Sequence, residues 1–178
     1  KGVLELNNVA FRRDGRIEAQ CKAADTTLTL ENGAIFAVDN TTRTIKVADA
    51  SDTTQIFALN YSAEHMYDER TSALKDFSLK GTDDFLPRLG YLAVGDKFTT
   101  NTICYSDAEF SDETALKAAI ASAAETALYG GISTTADSAA GAIKLSATMP
   151  TLGPVLKVVK GTTVPDDTYG VKFQVIKD

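Results

Sequence analysis

The sequence predicts a mainly β fold: a barrel or sandwich of antiparallel strands with one packed α-helix at about residues 112–129. Three features point there. Short runs rich in Val, Ile, Phe and Thr recur with a two-residue alternation. Asn, Asp and Gly separate these runs at turn positions. One stretch alone repeats its apolar residues at helical spacing.

The pattern divides the chain into an N-terminal hairpin or arm, residues 1–24, and a β-rich domain with one helix, residues 25–178. In the arm, Arg13-Asp14-Gly15 fits a three-residue hairpin loop with glycine in the left-handed position. That register sets Phe11 opposite Ile17 and Val9 opposite Ala19 on an apolar face. It sets Arg12 opposite Arg16 on the other face, where like charges repel. Either a carboxylate from elsewhere sits between the two guanidinium groups, or both side chains splay into water.

In the domain, residues 27–31 and 34–38 flank Asn32-Gly33, a strong hairpin signal. A second turn, Asp39-Asn40-Thr41-Thr42, precedes residues 44–47, where Ile45 and Val47 share a face. Residues 55–61 add a strand, so 27–61 reads as a β-meander. Residues 62–87 carry a weaker pattern, and 64–70 fit a short helix or an excursion loop. Residues 91–94 and 97–105 read as a strand pair about Gly95-Asp96, with Phe98, Thr100, Thr102 and Cys104 on one face.

Ser111 or Asp112 caps the helix, and the acids that follow suit its N-terminal dipole. Leu116, Ile120, Ala123 and Ala127 form its apolar stripe, and Gly130-Gly131 terminates it. A small-residue stretch, 134–141, reads as a loop. Strands resume at 143–147, 155–159 and 170–175, the last sending Val171, Phe173 and Val175 to the core.

Composition narrows the function classes. With 178 residues, 44% of them hydrophobic, the chain can bury a core. No run approaches the roughly 18 apolar residues of a membrane helix, and no secretory leader pattern opens it, so no membrane partner is expected. Net charge is −6 and the pI about 4.8, which disfavours nucleic acid as a partner. The charge is uneven: residues 1–22 hold Lys1, Arg12, Arg13, Arg16 and Lys22 against Glu5, Asp14 and Glu18. A basic start on an acidic body fits an oriented dock onto an acidic surface, and Arg12, Arg13 and Arg16 are the candidate partner-binding residues.

Catalytic chemistry finds no footing. His65 is the single histidine, with Glu64, Asp68 and Glu69 nearby but no third partner, so a solvated face is the reading. Asp83-Asp84 and Asp166-Asp167 lack a calcium-loop arrangement and read as turns. Ser72 and Ser78 have no activating base in view. Cys21 and Cys104 read as two small buried hydrophobes, with a disulfide as the alternative. No enzyme, metal or cofactor is expected.

One family likeness stands beside this reading. Leu30-Glu31-Asn32-Gly33-Ala34-Ile35-Phe36-Ala37-Val38-Asp39, Arg88-Leu89 and Val94-Gly95-Asp96-Lys97-Phe98-Thr99-Thr100-Asn101 resemble segments of tailed-bacteriophage capsid decoration (cement or auxiliary head) proteins. The resemblance implies a β-rich, non-enzymatic virion protein on the capsid exterior. It implies the major capsid protein and further copies of this chain on the lattice as partners. The alternatives from other classes are an extracellular adhesion or pilus-like subunit, and a ligand-binding module or hydrolase. An open edge strand would favour the former, and a deep pocket lined by His65 and carboxylates the latter.

Overall fold

A computed structural model describes residues 2, 4, 19–62, 78–80, 86–105, 109–122, 128–134, 140–164 and 167–178. They form β1 (Ala19–Gln20), β2 (Lys22–Ala23), β3 (Thr29–Glu31), β4 (Ile35–Asp39), β5 (Thr44–Lys46), β6 (Ile56–Asn60), β7 (Ser78–Lys80) and β8 (Arg88–Tyr91). There follow β9 (Lys97–Thr100), β10 (Ile103–Cys104), α1 (Glu113–Ser122), β11 (Tyr129–Ile132), β12 (Ile143–Ser146), β13 (Val155–Thr163) and β14 (Tyr169–Lys177). The fold is mainly β with one helix among the described residues, as the alternation predicts. One six-stranded sheet has the order β1-β8-β6-β4-β5-β2, a second β10-β12-β11-β13-β14-β9, and β3 pairs with β7. Strands are antiparallel except in the pairs β2–β5 and β10–β12. Residues 19–23, at the end of the expected N-terminal arm, thus pair within the first sheet.

β4 shows why the two sheets stack. Four successive apolar residues, Ile35 to Val38, suit a strand covered on both faces. Ile35 lies opposite Leu59 and enters a core shared with Phe98, Leu156, Val171 and Phe173 of the second sheet. Phe36 and Val38 point the other way, into a cluster with Leu28, Leu30, Ile45, Ala58 and Leu89. In the second sheet Phe98 and Phe173 are cross-strand partners, their ring centroids 5.6 Å apart. Phe36, Phe173, Val171 and Val175 are all fully buried, as expected from their alternation.

A buried polar seam ties the sheets together at Asn32-Gly33. These residues do turn, with the Ala34 N–H donating to the Glu31 carbonyl at 3.3 Å. They do not make the expected hairpin: β3 pairs with β7, and β4 with β5 and β6. Asn60 is the reason. Its Nδ2 donates to the Glu31 carbonyl at 2.9 Å, and its carbonyl accepts the Gly33 N–H at 2.8 Å. From there the Ser62 hydroxyl donates to Asn60 Oδ1 and accepts the Arg88 N–H. On the other side the Thr102 hydroxyl donates to the Asn32 carbonyl at 2.7 Å. Gly33 has φ +81°, and a side chain there would collide with Thr100.

Two other turn readings are corrected. Gly95-Asp96 does not join paired strands, because β8 belongs to the first sheet and β9 to the second. Its backbone binds β14 instead: the Gly95 N–H donates to the Val175 carbonyl, and the Val175 N–H to the Asp96 carbonyl. The meander over 27–61 reduces to the β4–β5 hairpin, since β6 lies on the far side of β4 and β3 in another sheet.

Within the expected 112–129, the helix is described over Glu113–Ser122, and Tyr129 already belongs to β11. Asp112 caps it by accepting the Ala115 N–H at 2.8 Å, Leu116 is fully buried and Ile120 packs on the core. Lys117 pairs with Glu113 and lies over the Tyr169 ring. Ala123 and Ala127 lie outside the described residues. Gly130-Gly131 is not a helix stop but part of β11. A Cβ on Gly130 would lie 2.8 Å from Ile143 Cγ2, and one on Gly131 2.7 Å from Pro150 Cγ. The pair is there for close packing. Cys21 and Cys104 are buried and not joined in a disulfide, and burial pushes the Cys21 thiol pKa up.

Two expectations follow from this packing. Phe36→Ala and Phe173→Ala should each cost about 3–5 kcal/mol, read from denaturant midpoints. The half-buried Tyr105 phenol is pushed up to about 12, chiefly by burial and then by the nearby Glu113 carboxylate. The unfolded phenol ionises near pH 10. Its contribution to stability is therefore complete below about pH 10 and lost as pH rises toward 12. Tyr105→Phe should flatten that alkaline decline in a thermal-melt series.

Candidate functional site

The six strands of the second sheet contain Lys97, Lys144, Lys157, Lys160, Lys172 and Lys177, and no Asp or Glu. Alternation sends Phe98, Leu156, Val158, Val171, Phe173 and Val175 inward. The residues between them therefore face outward. Register then lines up the outward lysines. Lys157 lies opposite Gln174, which lies opposite Lys97. One step along, Lys160 lies opposite Lys172, which lies opposite the buried Thr99, so the open part of this row is Lys160 and the half-buried Lys172. With strands about 4.8 Å apart, four lysines fall within a patch of roughly 10 Å by 7 Å.

A bulge makes this patch possible. Lys157 and Lys160 are three residues apart, a spacing that would put them on opposite faces of a regular strand. The register shifts between Val158 and Lys160, so Val159 is the extra residue and Lys160 returns to the face of Lys157. Val159 itself is 49% exposed.

Lys97, Lys157 and Lys160 are exposed and Lys172 half-buried. Among the described residues none of these four makes a salt bridge. Glu109 also touches this sheet, accepting the Ser146 hydroxyl and the Ala147 N–H at the β12 end. Ser146 lies two strands from Lys157 in the same row. Lysine often guards sheet edges against pairing. Lys157 and Lys172 have strands on both sides, so edge protection does not account for them, whereas β13 beyond Val158 has no described neighbour on the β11 side and Lys160 lies at a local edge.

The rest of the molecule has the opposite balance. Outside this sheet 12 bases face 24 acids. On the first-sheet side, Asp25 and Asp49 are exposed and Asp39 and Asp52 partly so, each accepting hydrogen bonds from a nearby Thr or Ser. Backbone and hydroxyl donors of Thr27, Thr42, Ser51 and Thr54 hold the four carboxyls below the usual carboxylate range. Lys46 sits among Asp39, Asp49 and Asp52 and lowers them slightly further.

A cleft of about 470 Å³ opens between β6, β8, the segment 151–154 and the end of β14. Ile56, Phe57, Leu92 and Leu152 give it apolar walls, and Lys177 and Asp178 stand at its margin. Among the described residues that line it, Lys177 and Asp178 are the charged ones, and none is His or Cys. No group of three or more potential metal ligands occurs among the described residues. None of their helices is long and apolar enough to cross a membrane.

Arg12, Arg13 and Arg16 lie outside the described residues, as do His65, Ser72, Asp83, Asp84 and Asp166. Asp167 occupies a turn at φ 64°, its N–H donating to the Val164 carbonyl. The lysine face was not read from sequence. Val171, Phe173 and Val175 mark Lys172 and Gln174 as outward, but cross-strand register alone brings Lys97, Lys157 and Lys160 beside them. No protein-family model, no curated protein and no solved structure matches this chain.

Lys160 and Lys172, directly opposed, should repel. Lys172→Glu replaces that repulsion with a cross-strand ion pair and should stabilise the fold by about 0.2–1 kcal/mol. A raised midpoint in low-salt denaturation, shrinking with added salt, is the expected result.

Proposed function

We propose that this chain is a non-enzymatic phage capsid decoration protein that binds the outside of the shell and links neighbouring major capsid subunits. The observation that carries this reading is the lysine face. A sheet surface of one charge, on a chain acidic elsewhere, suits lateral docking between proteins. The likeness to decoration proteins supports the choice of lattice. Its three segments, 30–39, Arg88-Leu89 and 94–101, are far apart in sequence yet contribute Glu31, Asn32, Gly33, Arg88 and Thr100 to the polar seam or its close packing. They form one structural unit. Arg12, Arg13 and Arg16 are the residues we assign to the contact with the shell.

The adhesion alternative works by strand addition and needs a long open edge. The outer strands β1, β2 and β10 have two residues each, and β9 has four and is bridged by Leu4 at Thr100. Among the described residues those four edges are short; the longer open stretch is β13 beyond Val158, where this alternative would act. The mechanism is linkage: a protein that binds the assembled shell and not its free subunits stabilises the shell by its binding free energy.

The test is binding to undecorated particles. Added protein should co-sediment with them and raise their disruption temperature with concentration. Arg12→Ala/Arg16→Ala should bind more weakly and with a flatter salt dependence, because two screened charges are gone. No binding at any ionic strength rejects the function. Unchanged affinity and salt dependence in the double variant rejects the arginine contact.

A further inference from the structure

We propose that the lysine face docks onto a second copy of this chain, head to tail, on that copy's acidic remainder. The inference rests on reading the face as a protein-docking surface, and it does not require a capsid. Charge complementarity selects the occupant. Lys97, Lys157, Lys160 and Lys172 make no ion pair among the described residues, while the chain outside this sheet carries 24 acids against 12 bases. A second copy brings that acidic surface with it. A long polyanion such as nucleic acid would meet the lysines and then run along the acidic body, which repels it.

Symmetry narrows the contact further. A two-fold axis through the lysine face would set lysine against lysine, which is repulsive, with Lys160 and Lys172 already opposed within one copy. A contact that joins the face of one molecule to the first-sheet turns of the next is heterologous. Carboxylates on the first-sheet turns, Asp25, Asp49 and Asp52 among them, are available as counter-charges, with Lys46 interspersed. Each exposed pair is weak, so a single contact forms at high protein concentration. Copies held side by side on a lattice gain it through local concentration.

The experiment is sedimentation of the intact protein, without particles, across concentration and salt. Average mass should rise with concentration at about 10 mM salt and return to the monomer value near 1 M, where charges are screened within about 3 Å. Lys157→Glu/Lys160→Glu/Lys172→Glu should remain monomeric under all conditions. These side chains are outward, so folding is checked by circular dichroism, and Lys157→Gln/Lys160→Gln/Lys172→Gln serves as a charge-neutral second variant. Mixed with wild type, the glutamate variant keeps its acidic body but lacks the lysine face. It should cap the oligomers and lower their average mass. A monomeric wild type at low salt overturns the proposal, as does association that survives in both triple variants. Particle binding without self-association would leave the decoration reading standing and remove this one; self-association without particle binding would do the reverse.

Discussion

Asn60 is the constraint on which the architecture depends. It is fully buried in the last position of β6, where its side chain reaches the Glu31 carbonyl and its backbone reaches Gly33 and Ala34. A buried amide without partners would cost about 1–3 kcal/mol. Here its donor and its acceptor are both used, on Glu31 and on the Ser62 hydroxyl. The same network extends through Asn32 to Thr102, and the Thr102 carbonyl accepts the Ile143 N–H of β12. One run of hydrogen bonds therefore crosses from β8 to β12. Displacing any member strands polar groups in both sheets, which makes the sheets one cooperative unit.

Much of the fold was legible in the sequence. Alternation placed the strands at 143–147, 155–159 and 170–175 close to where they lie, and it marked Phe36 and Phe173 as core residues. Turn chemistry located the corners at Asn32-Gly33 and Gly95-Asp96. What failed was the inference from a turn to a pair. A glycine in the left-handed region reverses the chain direction locally but says nothing about which strand receives the backbone groups on either side. At Asn32-Gly33 the amide of Asn60 receives them. At Gly95-Asp96 they are taken by Val175, distant in sequence. Gly130-Gly131 misled for another reason. Glycine ends helices by its freedom and fits tight sheets by its size, and Ile143 and Pro150 decide between those only in three dimensions.

The lysine face was less legible than the fold, because it is a property of register. The four lysines come from three strands, and their common face is visible only once β9, β14 and β13 are aligned. Net composition pointed the other way. A pI near 4.8 describes the whole chain and conceals a sheet with no acid in its strands. The bulge at Val159 illustrates the point: one extra residue converts a lysine destined for the core side into a neighbour of Lys172.

The position of β14 has a kinetic consequence. It is the last strand of the sequence described, yet it lies inside its sheet, with β13 on one side and β9 on the other. During synthesis Phe98 has no cross-strand partner until Phe173 emerges, and the Gly95-Asp96 corner has nothing to bind until Val175 does. Such non-local pairing carries a large loop-closure entropy and slows folding. The second sheet must therefore close after translation of this region, with its apolar face open in the interval. In that open state chaperone capture and premature aggregation compete with closure, the more so the higher the local concentration of nascent chains.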